Sequence, residues 1–194
     1  MKPEEVINEF KLTDALLEGH FQLTSGLHST VYLQCARVLQ YPSKAEQFAR
    51  AIAEHFKDRG LVLVASPAIG GIIIGHEVAR ALGARFIWTE REAGRMTLRR
   101  GFTITPGEKT LVVEDVITTG GSTRETIDCL KEAGADVIGA ASIIDRSGGD
   151  ADVGVPRFAL ASLKVLATNP SECDACKMGE PVVKPGSRKA VSGQ

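Results

Sequence analysis

The chain has 194 residues and a net charge of −1 at neutral pH, with 43% hydrophobic and 24% charged residues, the make-up of a globular domain. So small a charge gives no electrostatic basis for general nucleic-acid binding, and no apolar run reaches the ~20 residues of a membrane span. The length suits one domain with a sizeable core. The acidic, amphipathic start Met1-Lys2-Pro3-Glu4-Glu5 is unlike a signal peptide, which points to the cytoplasm.

Apolar positions at Val6, Ile7, Phe10 and Leu17 predict a helix over 3–17. Two short strands are expected at 21–24 and 30–35, separated by Ser25-Gly26-Leu27-His28. Residues 43–59 read as a helix. A capping box pairs Ser43 with Glu46, Ala45, Phe48, Ala49, Ile52 and Phe56 form one apolar stripe, and Gly60 stops it. An alternation follows: strand 61–65, helix 70–82 ended by Gly83, strand 85–89, strand 110–115, helix 122–133 ended by Gly134, strand 136–145. Near-continuous apolar strands between helices indicate an α/β fold, with a mostly parallel sheet covered on both faces. The alternation predicts one domain with its core over about 43–146. Residues 1–42 and 147–183 fall outside it and are expected to form a small hood. The polar tail 184–194, with Pro185 and Gly186, is expected to be mobile.

One segment carries most of the chemistry: Leu111-Val112-Val113-Glu114-Asp115-Val116-Ile117-Thr118-Thr119-Gly120-Gly121-Ser122-Thr123. An apolar strand delivers two adjacent carboxylates to its C-terminal end, where open α/β sheets bind ligands. A small, hydroxyl- and glycine-rich turn then opens a helix, offering N–H groups to an anion. Carboxylates suited to ribose hydroxyls beside a phosphate turn describe a site for ribose 5-phosphate. Ser122 and Glu125 also read as a capping box; that accounts for the helix start but not for the acidic pair. Neither a P-loop nor a dinucleotide-binding fingerprint is present.

This segment resembles the signature of the type I phosphoribosyltransferases, which use phosphoribosyl pyrophosphate (PRPP). The resemblance implies that Glu114 and Asp115 bind the ribose hydroxyls and that 116–122 wrap the 5-phosphate. Ala65-Ser66-Pro67-Ala68-Ile69-Gly70-Gly71 is a second strand-to-helix turn; in the family the corresponding turn holds pyrophosphate, placing Gly70 and Gly71 there. Within the family, Phe21-Gln22-Leu23-Thr24-Ser25-Gly26-Leu27-His28-Ser29 is similar to a segment of the orotate phosphoribosyltransferases. That likeness implies base contacts from Ser25, Tyr32 and Thr118, and from Arg146, which matches the family's partner for the orotate carboxylate. It runs from Phe10 to Pro185-Gly186.

This chain departs from the orotate enzymes at three places. A Lys common in the second turn is Gly70, a Lys before the Ser-Gly is Thr24, and the charged segment 90–101 has Arg where the family has Lys and often His. Read alone, that segment is a solvated hairpin or surface loop. By resemblance it is a lid whose Arg91 and Arg95 reach the pyrophosphate of a neighbouring subunit, making the protein a homodimer. Arginine neutralises charge but does not readily donate a proton, which leaves the general acid open.

The expected activity is therefore orotate phosphoribosyl transfer in pyrimidine synthesis. Magnesium is the expected cofactor, held mainly through PRPP with its protein ligands open, and no nucleic-acid or membrane partner is expected. A phosphoribosyltransferase for another base and a non-catalytic PRPP-sensing regulator are the alternatives. Cys35 and Cys129 read as buried small residues. Cys173 and Cys176 form a Cys-x-x-Cys with no second ligand pair near in sequence, which reads as a reduced pair or an occasional disulfide more readily than as a metal site. His20, His28, His55 and His76 are scattered without metal spacing.

Overall fold

The computed structural model describes residues 1–23 and 25–185. Thr24 and the part of the expected tail from 186 onward lie outside the described residues. Helix α1 (Pro3–Leu12) begins on a proline whose fixed φ suits a first turn, with Glu4 and Glu5 at the positive end of its dipole. It stops short of the expected residue 17. The Thr13 hydroxyl donates to the Glu9 carbonyl at 2.8 Å, and Asp14 takes a positive φ, so Leu17 enters a strand instead. That strand, β1 (Leu16–Gln22), starts earlier than expected and forms an antiparallel hairpin with β2 (His28–Leu33).

A four-residue helix, α2 (Ala36–Leu39), precedes α3 (Pro42–Phe56). The expected Ser43–Glu46 capping box is not formed. Tyr41 is the N-cap and Pro42 the first helical residue, so Ser43 already lies inside the helix. The core alternation then follows: β3 (Leu63–Pro67), α4 (Gly71–Leu82), β4 (Arg85–Glu92), β5 (Arg95–Leu98), β6 (Lys109–Ile117), α5 (Gly121–Glu132), β7 (Asp136–Asp145) and β8 (Arg157–Ser162). A two-residue strand, β9 (Ala167–Thr168), and a short helix, α6 (Asp174–Lys177), complete it.

Six strands form one sheet in the order β5-β4-β3-β6-β7-β8. All neighbours in it are parallel except β5, the return strand of a hairpin from β4. One expectation is corrected here. The core does not end near 146: β8 pairs with β7, and Arg157 at its start is tied to the buried Asp145 at 2.6 Å. Of the two readings of segment 90–101, hairpin or surface loop, the structure shows the hairpin: β4 runs to Glu92 and turns at Ala93-Gly94, both at positive φ, into β5.

The sheet is covered on both faces, as near-continuous apolar strands require. On one side α1, α3 and α4 bury Val6, Phe10, Phe48, Ile52, Ile74 and Val78 against the sheet. On the other, α5 buries Ile127 and Leu130 against Leu63, Ile87 and Val112. A separate three-stranded antiparallel sheet, β1-β2-β9, forms the hood together with residues 163–183. Among the described residues no helix is long and apolar enough to cross a membrane.

Candidate active site

The parallel register brings every candidate turn to one edge. Val116 and Ile117 pair with Ile144 and Asp145, so Arg146 leaves β7 level with Thr118, and its N–H donates to the Ile117 carbonyl at 2.8 Å. The end of β3 delivers Ala68–Gly71 to the same edge, with the Ala68 N–H donating to the Thr89 carbonyl at 2.8 Å.

Glu114 is 8% exposed and Asp115 half-buried. Burial, and then the neighbouring Asp115 carboxylate, push the Glu114 carboxyl up to about 9. Burial raises Asp115 as well, partly offset by hydrogen bonds from Glu114, the Val116 N–H at 2.8 Å and the Cys35 thiol. Two carboxylates this close cannot both ionise without a counter-charge. The pair therefore favours taking up a proton or a cation, and its oxygens suit vicinal hydroxyls.

Gly70 and Gly71 are required by that pair. A Cβ on Gly70 would stand 2.9 Å from both Asp115 carboxylate oxygens. One on Gly71 would stand 2.9 Å from the Val113 carbonyl and 3.1 Å from Glu114 Oε1. The two turns that the sequence presents separately are one packed unit.

The turn after β6 encloses a hollow of about 80 Å³ lined by Glu114 and residues 116–123. The expected Ser122–Glu125 capping box is absent. The N-cap of α5 is Gly120 at φ 82, a left-handed conformation where a Cβ would also lie 2.8 Å from Val153 Cγ1. Ser122 is therefore inside the first turn, whose N–H groups have no intrahelical partners. They face a concavity with Thr118 and Thr119, both exposed: an anion site built of backbone dipoles. A wider hollow of about 510 Å³ lies between α3 and the C-terminal half of α4, at the opposite edge of the sheet, and takes no part.

Arg146 forms no salt bridge among the described residues. Asp145 is taken by Arg157, Ser147 and the Gly149 N–H, and Arg146 Nε is buried with no partner among the described residues. Burial holds its pKa below the usual arginine value, while the Cys35 thiol and the Tyr32 phenol lie near enough to act on it. The hood thus contributes Tyr32, packed against Phe21 at 5.8 Å between ring centroids, and the core contributes Arg146. Ser25 is exposed in the β1–β2 turn, where its hydroxyl accepts from the Leu27 N–H at 3.5 Å. Cys35 was missed as a site residue. It bonds Asp115 and its thiol is raised by burial and by both carboxylates, yet nothing in its sequence neighbourhood marks it.

Arg91 and Arg95 lie on the β4–β5 hairpin beside α5. Arg91 pairs with Glu125 on the outside of α5 at 2.7 Å, and Arg95 lines a surface hollow with Glu125, Asp128, Cys129 and Glu132. Arg99 and Arg100 are held by Glu90.

The phosphoribosyl transferase domain family matches residues 36–157. An orotate phosphoribosyltransferase of Caldicellulosiruptor bescii is 53% identical over 189 residues, which cover 97% of this chain and all of that protein. The chain belongs to the orotate phosphoribosyltransferase family. A second such enzyme, from Pelotomaculum thermopropionicum, is 52% identical over 97% of this chain and all of its own length. The crystal structure of the orotate phosphoribosyltransferase from Aeropyrum pernix superposes with a TM-score of 0.67 at 28% identity, covering 82% of this chain and 94% of that one. Against this family background the acidic pair, the two turns and Arg146 are the parts to which chemistry can be assigned.

Proposed function

We propose that this chain transfers the phosphoribosyl group of PRPP to orotate, giving orotidine 5′-monophosphate and pyrophosphate. The observation that carries the base assignment is the buried, unpaired Arg146 Nε beside the phosphate turn. A guanidinium in that state is suited to a planar carboxylate, which it can take bidentately.

In this reading the N–H groups and hydroxyls of 118–122 hold the 5-phosphate, while Glu114 and Asp115 fix the ribose hydroxyls. The C1–O bond to pyrophosphate breaks, its electron pair leaving with pyrophosphate, and orotate N1 forms the new bond to C1 as its proton passes to the departing pyrophosphate or to solvent. The buried carboxylates stabilise the positive charge that develops on the sugar. Arg146 and the Thr118 hydroxyl orient the base, with Tyr32 and Ser25 at its rim. Gly70 and Gly71 allow the backbone to approach pyrophosphate closely. Magnesium fits the site. No cation offsets Glu114 or Asp115 among the described residues, and an all-oxygen donor set suits a hard ion. Glu114 and Asp115 would help to hold it, and it would neutralise the leaving group.

The exposed position of Arg91 and Arg95 supports a homodimer in which the β4–β5 hairpin serves the neighbouring subunit's site. Neutralisation by these arginines needs no proton transfer, which removes the demand for a general acid on the hairpin. The net charge of −1 supports a reading without a nucleic-acid partner, and a cytoplasmic location without a membrane partner is part of the same proposal.

The deciding experiment is loss of orotate absorbance with PRPP and magnesium, with adenine, hypoxanthine and uracil as competitors. Orotate alone should be consumed. Turnover of another base instead, or PRPP binding without any turnover, would overturn the assignment. Mixing Asp115→Ala with Arg91→Ala subunits should restore activity that neither has alone; no recovery would sink the shared site.

A further inference from the structure

The Cys-x-x-Cys near the end of the chain is not short of partners, and the four histidines are not all scattered. Folding brings His20 of β1 and His28 of β2 onto Cys173 and Cys176, with one ligand atom from each lying within 4.8 Å of all the others. His20 Nε2 is 2.8 Å from His28 Nδ1, 3.5 Å from Cys173 Sγ and 3.6 Å from Cys176 Sγ; Cys176 Sγ is 3.2 Å from His28 Nδ1. Tetrahedral zinc with bonds of about 2.3 Å to sulfur and about 2.0 Å to nitrogen needs ligand separations of roughly 3.3–3.8 Å. We propose that His20, His28, Cys173 and Cys176 form a closed, four-ligand structural zinc site.

Three further features support it. The ligands are withdrawn from solvent: His20 is 6%, His28 5% and Cys173 7% exposed. Two thiolates and two neutral imidazoles also cancel the ion's charge, so the buried site stays neutral. Next, the ring of His20 is oriented from outside the cluster. Its Nδ1 lies 3.0 Å from the Glu180 carbonyl, which only accepts, so Nδ1 carries the proton and Nε2 offers its lone pair inward. A register irregularity between Glu18 and Phe21 accompanies burial of the consecutive residues His20 and Phe21, which strict strand alternation would place on opposite faces. Finally, the segment that supplies the cysteines has little else to hold it. Helix α6 buries none of its residues, and Leu166, Met178, Val182 and Val183 are exposed. Among the described residues its other ties include the two-residue pairing of β9 with β2, the contact of Glu180 with His20 and the backbone bonds between Val183 and both His20 and Gln22. Small units without a core are commonly held by a metal.

The site is separate from the reaction and goes beyond the proposed activity. It clips the end of the chain to the hairpin that carries Tyr32 and so sets the stance of the hood over the sheet edge. Binding displaces the two thiol protons to solvent.

The test is elemental analysis of the full-length protein purified without chelators, which should contain one zinc per chain. Removing zinc under reducing conditions and adding Co²⁺ should produce thiolate-to-cobalt charge-transfer absorption and the strong visible bands of a tetrahedral ion. Cys173→Ser/Cys176→Ser should lose both the zinc and the cobalt spectrum, and chelation should lower the melting temperature of the parent but not of this variant. The cobalt spectrum of the parent does not depend on whether the variant folds. Zinc-free protein that gives no cobalt spectrum after reduction, a Cys173–Cys176 disulfide in the protein as isolated, or metal content unchanged in the variant would each overturn the proposal.

Discussion

The edge of the parallel sheet and the hood solve the same problem, placing polar groups precisely, in opposite ways. At the sheet edge the groups come from short continuous segments, 114–122, 68–71 and 145–146, and parallel strand register aligns them. In the hood they come from residues more than 140 positions apart, 20 and 28 with 173 and 176, held by a hairpin and a few bonds to the end of the chain. The first arrangement borrows rigidity from a core packed on both faces. The second has almost no core of its own and needs a different fastening. The expectation is that damage to the edge affects turnover and leaves the fold intact, whereas damage to the hood clip affects stability first.

The largest effect should come from Asp115→Ala. Losing a carboxylate that faces the reacting sugar should lower kcat by about a thousandfold or more. The fold should survive, because Asp115 has no salt-bridge partner among the described residues and its loss removes the cost of desolvating a carboxylate. A large fall in melting temperature with this variant would erase the contrast between the two regions. Arg146→Ala should raise the orotate KM about a hundredfold, the value of a charge-assisted pair, with little change in the PRPP KM. Equal changes in both would mean that another group reads the base.

Gly70→Ala sharpens the comparison, since it adds a methyl group to the edge without removing any polar group. Its Cβ would press on Asp115 at 2.9 Å, and displacement of that carboxylate should cost about tenfold or more in kcat. The pH response is subtler. Glu114, raised from 4.5 to about 9, binds its proton more tightly in the folded protein. Its contribution is fully present below 4.5 and is lost as pH climbs to about 9, so the melting temperature of the ligand-free protein should fall across that window. Glu114→Gln should flatten the slope; an unchanged slope would assign it to other groups. Arg91→Ala should have the smallest effect on stability, because its pair with Glu125 is exposed on both sides. Melting temperature should be unchanged while the kcat of the assembled enzyme falls; the reverse pattern would make the hairpin a structural element only.

The signature strand and its turn were legible because each residue's role depends on neighbours in sequence: a continuous apolar run makes β6, the acidic pair follows it, and small residues free the backbone. Arg146 was legible only through resemblance. What makes it distinctive, Asp145 being taken by Arg157 and an Nε left unpaired, depends on β8, which the sequence pattern assigned to the hood. Both expected capping boxes failed for one local reason. Each helix begins a residue earlier than its serine suggests, at Pro42 and Gly121, and in α5 that choice leaves the first-turn N–H groups open to a ligand. Cys35 and the two histidines carried no local signal at all.

By itself the sequence determined the α/β alternation, the position of the phosphate turn and the acidic pair, because periodicity and turn chemistry act over a few residues. Only the tertiary structure decided that Gly70 and Gly71 lie against that pair, that Tyr32 and Cys35 meet Arg146, that Arg91 and Arg95 lie beside α5, and that His20 and His28 converge on Cys173 and Cys176. Those juxtapositions depend on strand register and on chain ends meeting across the hood, and contacts between residues far apart in the chain leave no periodic trace in the sequence.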